Sequence, residues 1–392
     1  MKAHIAHRVQ VFSESVIREM TRLCNQHGGI NLAQGFPDFP APQALKDAAC
    51  RAIQADVNQY AITWGAPNLR EAIARKAMAF NGLPEVDPQR HVTVTCGATE
   101  AMMAAMLSVI DPGDEVILFE PYYENYGPDA VMSQATLRFV PLEGPAFEID
   151  PGKLKAAFGP KTKAIVVNTP HNPTGKVFTR QELEAIAELC IAHDVLVITD
   201  EIYEHMIYEG EHLSIGALPG MSERTITISG LSKTFAVTGW RLGYVIAPEH
   251  LTTAIRKAHD FLTVGAPAPL QEAAVTALGF DADYYTALRD SYMGKRDQMH
   301  RLLTAAGLEP ILPQGAYYMM TDISRFGLTD VEFVRFMIEH VGVAAVPGTS
   351  FWSDKAIGSR YVRFAFPKRP ETLEAAGERL KTLPEKLAAL PR

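Results

Sequence analysis

The middle of this chain is a succession of short, bare apolar runs, each followed by a stretch of helical period. KAIVV at 163–167 and VLVIT at 195–199 show no polar alternation, so a strand formed by either must be covered on both faces. HVTVT at 91–95, EVILF at 115–119, 136–142 and 225–228 read as further strands. Between them, 99–109 reads as a helix stopped by Asp-Pro-Gly at 111–113. Residues 179–193 read as a second helix, opened by a capping box, Thr179 with Glu182. Leu183, Ile186, Ala187 and Cys190 share its apolar face. Strands and helices in this alternation imply an α/β fold with a largely parallel sheet.

From about Pro267 the texture changes. Long helical patterns run to about residue 306. A strand at 317–323, a capped helix from Thr329 and strands near Val343 and Tyr361 follow. This region reads as a second, α+β unit, and 392 residues are enough for two domains.

Composition excludes more than it assigns. Lys+Arg 37 against Asp+Glu 45 gives a formal charge of −8, and no Lys/Arg run is present, so a nucleic-acid partner is not expected. Cys24, Cys50, Cys96 and Cys190 are scattered without a CxxC pair, which fits a reducing compartment rather than a zinc or disulfide framework. The N-terminus, MKAHIAHRVQVF, lacks the apolar core of a secretory signal. No apolar run approaches the ~18 residues of a membrane span. A cytoplasmic protein without a bound metal is expected.

The run VLVITDE at 195–201 has the look of a Walker B strand, but the Gly175-Lys176 pair lacks both the upstream glycine and the following Ser/Thr of a phosphate loop. What remains is a set of polar residues at strand ends. Asp200 ends one strand, Asn172 follows another in NTPHNPTG at 168–175, and Lys233 follows a third in SGLSKTF at 229–235. Ligands of open α/β sheets bind beyond the carboxyl ends of the strands. A lysine able to form a Schiff base and an aspartate able to face a pyridinium nitrogen are together the requirement of pyridoxal phosphate (PLP).

The segment SGLSKTFAVTGWR at 229–241 resembles the cofactor-lysine signature of class I, fold-type-I PLP-dependent aminotransferases. NTPHNPTG at 168–175 and TDEIY at 199–203 are similar to that family's other landmarks in order and spacing. NLAQGFPDFP at 31–40 resembles the subgroup of kynurenine aminotransferase/glutamine transaminase K and bacterial methionine transaminases. The likeness runs from about residue 13 to 385. It implies a large PLP-binding domain over 45–285, with a mostly parallel mixed sheet covered by helices. It also implies a discontinuous small domain from 1–44 and 286–392, and a homodimer.

The resemblance also implies roles. Lys233 would carry the cofactor and later shuttle the substrate proton. Asp200 would face the pyridine nitrogen. Asn172 and Tyr203 would bond the phenolic oxygen, and Tyr123 would stack on the ring. Gly97, Ala98 and Thr99, at a strand-to-helix turn, would receive the phosphate. Arg241 would add a bidentate contact, and Tyr60 would reach over from a second subunit. Relatives often carry serine at the position of Gly230; Ser229 or Ser232 is the substitute. Arg363, in YVRFAF at 361–366, would clamp the substrate α-carboxylate, with Gly35 beside it.

Ile17 and Gly265 stand where kynurenine aminotransferase carries an aromatic residue and a histidine, and no second carboxylate-binding arginine is evident. The first two residues argue against kynurenine itself, and the missing arginine against strict aspartate specificity. The expected donors are neutral or aromatic L-amino acids (methionine, glutamine, phenylalanine, kynurenine-like), with a 2-oxo acid acceptor in a ping-pong cycle. Cysteine-S-conjugate β-elimination and an aspartate- or alanine-preferring transaminase are the alternatives. The likeness begins too early in the chain for a DNA-binding domain to precede it, so an aminotransferase-like regulator is not expected.

Overall fold

The computed structural model describes residues 4–10, 12 and 15–389. Its largest element is an eight-stranded mixed sheet. Four strands, Glu115–Glu120, Thr162–Asn168, Leu196–Asp200 and Thr225–Gly230, run parallel, joined on one side by the parallel Thr136–Glu143. Gly243–Ile246 enters antiparallel between Thr225–Gly230 and Val92–Thr95. This antiparallel strand was not anticipated from the sequence. Only four residues long, it is flanked by a 3-10 turn and a proline, and offers little periodicity to read.

The period-2 alternation of the strands divides the core. Val116, Leu118, Val166, Ile198, Ile226 and Val245 face the helices Ala98–Val109 and Glu249–Thr263. Ile117, Phe119, Ile165, Val167 and Val197 face the other side, where helix Arg180–His193 buries Leu183, Ile186 and Cys190. That helix begins at the Thr179–Glu182 capping box read from the sequence. A second capping box, Thr329 with Glu332, opens Asp330–Phe336.

A separate four-stranded antiparallel sheet comprises Glu309–Pro310, Tyr318–Asp322, Tyr361–Ala365 and Val346–Pro347. The N-terminal segment returns to this end of the molecule, where Ile30–Asn31 pairs in parallel with Val343–Ala344. One continuous helix, Ala282–Ala305, leads into this part of the chain.

Behind the Asp200 strand end lies a buried polar network. Lys76 Nζ meets Glu204 at 2.5 Å and Asn81 at 2.8 Å, and Asn81 in turn bonds Glu201 and Glu204. Ser214 and His212 complete Glu201, and Ser229 completes Glu204. Burial alone would raise the Glu204 carboxyl, but the Lys76 ammonium overrides it and holds it at about 2. The network fixes the turn that follows Asp200, since a buried ion is tolerated only when fully partnered. Among the described residues no helix is long and apolar enough to cross a membrane.

Candidate active site

Parallel strands all end on one edge, and adjacent registers bring their last residues level. Asn168 pairs with Asp200, and Asp200 with Ile228. Just beyond this edge is a cavity of about 160 Å³. Its walls include Ala98, Thr99, Tyr123, Asn172, Asp200 and Tyr203, together with Ser232, Lys233 and Arg241. Nine residues singled out from the sequence, on five separate segments, therefore share one cavity.

Lys233 makes no ion pair among the described residues. Its Nζ donates to the Gly35 carbonyl at 3.3 Å and lies 5.7 Å from the centre of the Tyr317 ring. Burial, reinforced by the nearby positive charge of Arg241, pulls the amine down to about 8. Asp200 is pushed the other way, since burial raises its carboxyl. The Tyr126 hydroxyl, donating at 2.7 Å, and the Ile202 N–H, at 3.2 Å, resist that rise. A buried carboxylate so placed favours a cation opposite it.

Arg363 is 1% exposed and has no carboxylate partner among the described residues. Its Nη1 donates to Asn172 Oδ1 at 2.7 Å and its Nη2 to the Ala33 carbonyl at 3.1 Å, while Nε has no partner. The guanidinium lies 4.2 Å from the centre of the Tyr318 ring and 4.7 Å from that of Phe351. A guanidinium held in an aromatic slot without an anion is a ready receptor for a carboxylate. Gly35 forms the adjoining wall: any side chain there would run into the Tyr318 hydroxyl.

At the opposite end of the cavity a helix start and an arginine lie together, an arrangement able to receive an anion. Gly97 turns the chain at φ 84° into helix Ala98–Val109, whose first N–H groups point outward. A Cβ at Gly97 would strike the Arg241 guanidinium, and one at Gly243 would come within 2.5 Å of the Ala98 nitrogen. The two serines differ in their surroundings. Ser229 is consumed by Glu204 at 2.7 Å, whereas Ser232 lines the cavity. Serine at 230 would not fit, because a Cβ there would come within 2.7 Å of the Leu242 carbonyl.

Tyr60 stands apart. It is 88% exposed and does not line the cavity of its own chain. Ile17 is packed into the core and Gly265 sits beside Thr63, so neither lines the cavity. Three contributors were missed in the sequence: Tyr126, Asn168 and Tyr318. Asn168 ties the site together, donating to the Asp200 carbonyl at 2.8 Å and accepting from the Asn172 N–H at 2.7 Å. Its place at a strand end was the available signal. Tyr126 and Tyr318 carry no signal in the sequence that sets them apart from core tyrosines.

The family description "Aminotransferase class I and II" matches residues 27–380. The chain belongs to that family. It is 39% identical over 393 residues to a probable N-succinyldiaminopimelate aminotransferase of Mycobacterium tuberculosis, covering 97% of this chain and 99% of the relative. A solved structure of N-succinyldiaminopimelate aminotransferase from that organism superposes with a TM-score of 0.94, at 39% identity, over 97% of this chain and 100% of the other. Human kynurenine–oxoglutarate transaminase 1 is 39% identical over 400 residues, covering 93% of this chain and 94% of the relative. The methionine aminotransferase of Escherichia coli is 37% identical over 371 residues, covering 94% and 96%.

The protein is thus a PLP-dependent aminotransferase of fold type I. The residues present fit that cofactor. The cavity offers an amine free of ion pairs, a buried carboxylate, and a helix N-terminus with Arg241 beside it. Because the Lys233 amine is held near 8, its neutral, nucleophilic form dominates from just above that pH. In cofactor-free protein, the rate of colour development on adding PLP is expected to rise with pH and level off around pH 8. A rate still climbing steeply at pH 10 would show an ordinary, exposed lysine.

Proposed function

We propose that this aminotransferase moves the amino group of a neutral or aromatic L-amino acid, such as methionine, glutamine, phenylalanine or a kynurenine-like donor, to a 2-oxo acid by a ping-pong cycle. The observation that carries the reading is the charge distribution of the cavity. Its lining cations are Lys233 and Arg241, and Arg363 stands at its edge through Asn172. Arg241 lies at the anion-binding end and Arg363 is placed for one carboxylate. Among the described residues, neither the lining nor the edge of the cavity supplies a further cation for an acidic side chain. The names of two relatives, a kynurenine and a methionine transaminase, agree with this choice.

In this reading each residue has a definite task. Lys233 would hold the cofactor covalently, and the N–H groups of Ala98 and Thr99, with Ser232 and Arg241, would hold its phosphate. Tyr123 would cover the ring. Asp200 would keep the ring nitrogen protonated. Asn172, whose Oδ1 is taken by Arg363, has its NH₂ left to donate to the phenolic oxygen, with Tyr203 as the second donor. Bound there, the cofactor supplies a carbonyl that condenses with amines and a ring that accepts the electron pair released when a Cα proton leaves. Arg363, assisted by Gly35 and Asn172, would orient the substrate by its carboxylate. Lys233, its amine already near neutrality, would take the Cα proton and return it on the cofactor side.

We also propose a homodimer. Tyr60 (88% exposed), Ile62, Phe261 (92%), Leu262 and Val264 form an exposed apolar face where the 60–65 loop meets the end of helix Glu249–Thr263. A second copy covering this face would bring its Tyr60 toward the phosphate end. The division into a domain of 45–285 and one of 1–44 with 286–392 is part of the same proposal, supported by the pairing of Ile30–Asn31 with Val343–Ala344. The scattered cysteines, Cys24 and Cys190 buried, suit a reducing cytoplasm.

Two measurements test this. In solution the mass should be twice 43.0 kDa, and a monomer would contradict the dimer. When the PLP form is mixed in turn with twenty amino acids, loss of its visible band should be fastest with methionine, glutamine or aromatic donors. Aspartate far ahead of these would overturn the donor class. In the same assay Arg363→Ala should raise the KM for donors at least about thirtyfold, as loss of a buried charge-paired contact does, without loss of bound cofactor.

A further inference from the structure

Tyr318 opens the strand Tyr318–Asp322, which runs beside the strand carrying Arg363. Its side chain is 4% exposed and lines the cavity. It is held on several sides. The Arg363 guanidinium covers its ring at 4.2 Å, and the edges of Tyr203 and Tyr317 pack against it with ring centres 5.7 and 4.8 Å away. Gly35 gives the hydroxyl its space, since a side chain there would collide with it. So confined, the hydroxyl lies 2.8 Å from the hydroxyl of Tyr203.

Each phenol has one proton and can also accept. One hydrogen bond between the two uses one proton and leaves the other for a third group. If Tyr203 donated to Tyr318, it would have nothing to offer the cofactor. Once a negatively charged phenolic oxygen lies within reach of Tyr203, the stronger bond is to that anion. Tyr203 must then accept from Tyr318.

We propose that Tyr318 is a positioning residue whose hydroxyl donates to Tyr203 and thereby directs the Tyr203 proton onto the phenolic oxygen of the bound cofactor. This rests on the reading of Tyr203 given above. Two consequences follow from electrostatics. A hydrogen bond received by Tyr203 polarises its own O–H and strengthens its donation. A stronger donor to the phenolic oxygen draws off negative charge, so that oxygen retains the proton of the neighbouring lysine–cofactor nitrogen less firmly. Without Tyr318, that proton should be kept to higher pH. The ring contact with Arg363 is a separate matter, because it needs the ring and not the hydroxyl.

The test is a spectrophotometric pH titration of the cofactor-loaded enzyme. Four proteins are compared: the unaltered chain, Tyr318→Phe, Tyr203→Phe and the double variant. In Tyr318→Phe the midpoint of the visible absorption change should move upward by a few tenths of a pH unit to about one unit, the size of one net hydrogen bond. The double variant should titrate where Tyr203→Phe does, because Tyr318 acts only through Tyr203. An unmoved midpoint in Tyr318→Phe, even with a lowered Tm, would reduce Tyr318 to a packing role and overturn the proposal. So would a double-variant shift equal to the sum of the two single shifts. Absence of any visible band in the unaltered protein would instead sink the cofactor reading itself, which keeps the two failures apart.

Discussion

Asp200 is the constraint on which the rest of the site depends. A carboxylate at the end of a central strand, 7% exposed, is in surroundings that favour its neutral form. Two donors, Tyr126 and the Ile202 N–H, compensate only in part. A cation held against it would complete it, and in the proposed reading the pyridinium nitrogen of the cofactor is that cation. Much of the surrounding architecture keeps that carboxylate in place. Asn168 takes its backbone carbonyl, and the Lys76–Glu204–Asn81–Glu201 network anchors the turn that follows.

The second organising link joins the two sheets. Asn168 accepts from the backbone of Asn172, and Asn172 accepts from Arg363. A chain of hydrogen bonds therefore runs from the strand end carrying Asp200, in the large sheet, to Arg363 in the small one. The place where the substrate carboxylate would dock and the place where the cofactor ring would lie are fixed relative to each other by this relay. Reaction at Cα requires that relation, since a displacement of about 1 Å between reacting groups costs roughly a hundredfold in rate. Gly35, from the N-terminal segment, and Tyr318, from the small sheet, close the same junction, so three distant stretches of sequence meet there.

What could be read beforehand followed from local rules. Bare apolar runs such as 163–167 and 195–199 announced buried strands, and Thr179 with Glu182 announced a helix start that the structure reproduces. Lys233, Asp200 and Asn172 could be picked out because they stand just past the ends of such strands, where ligands of open α/β sheets bind, and inside motifs that resemble the family's. The strand Gly243–Ile246 escaped because four residues between a 3-10 turn and a proline carry too little periodicity to read. Tyr126, Asn168 and Tyr318 escaped because their importance comes from tertiary hydrogen bonds, and a buried tyrosine in sequence looks the same whether or not its hydroxyl is used. The different surroundings of Ser229 and Ser232 were likewise invisible in sequence, since Glu204, which takes the former, is brought to it only by the fold.

The central claim is that Lys233 is the covalent anchor facing Asp200 across one cavity. Borohydride reduction of the holoenzyme, followed by peptide mapping, tests it directly. The cofactor should be found irreversibly attached to the peptide containing Lys233 and to no other lysine. A reduced protein carrying its label elsewhere, or none at all, would contradict the account.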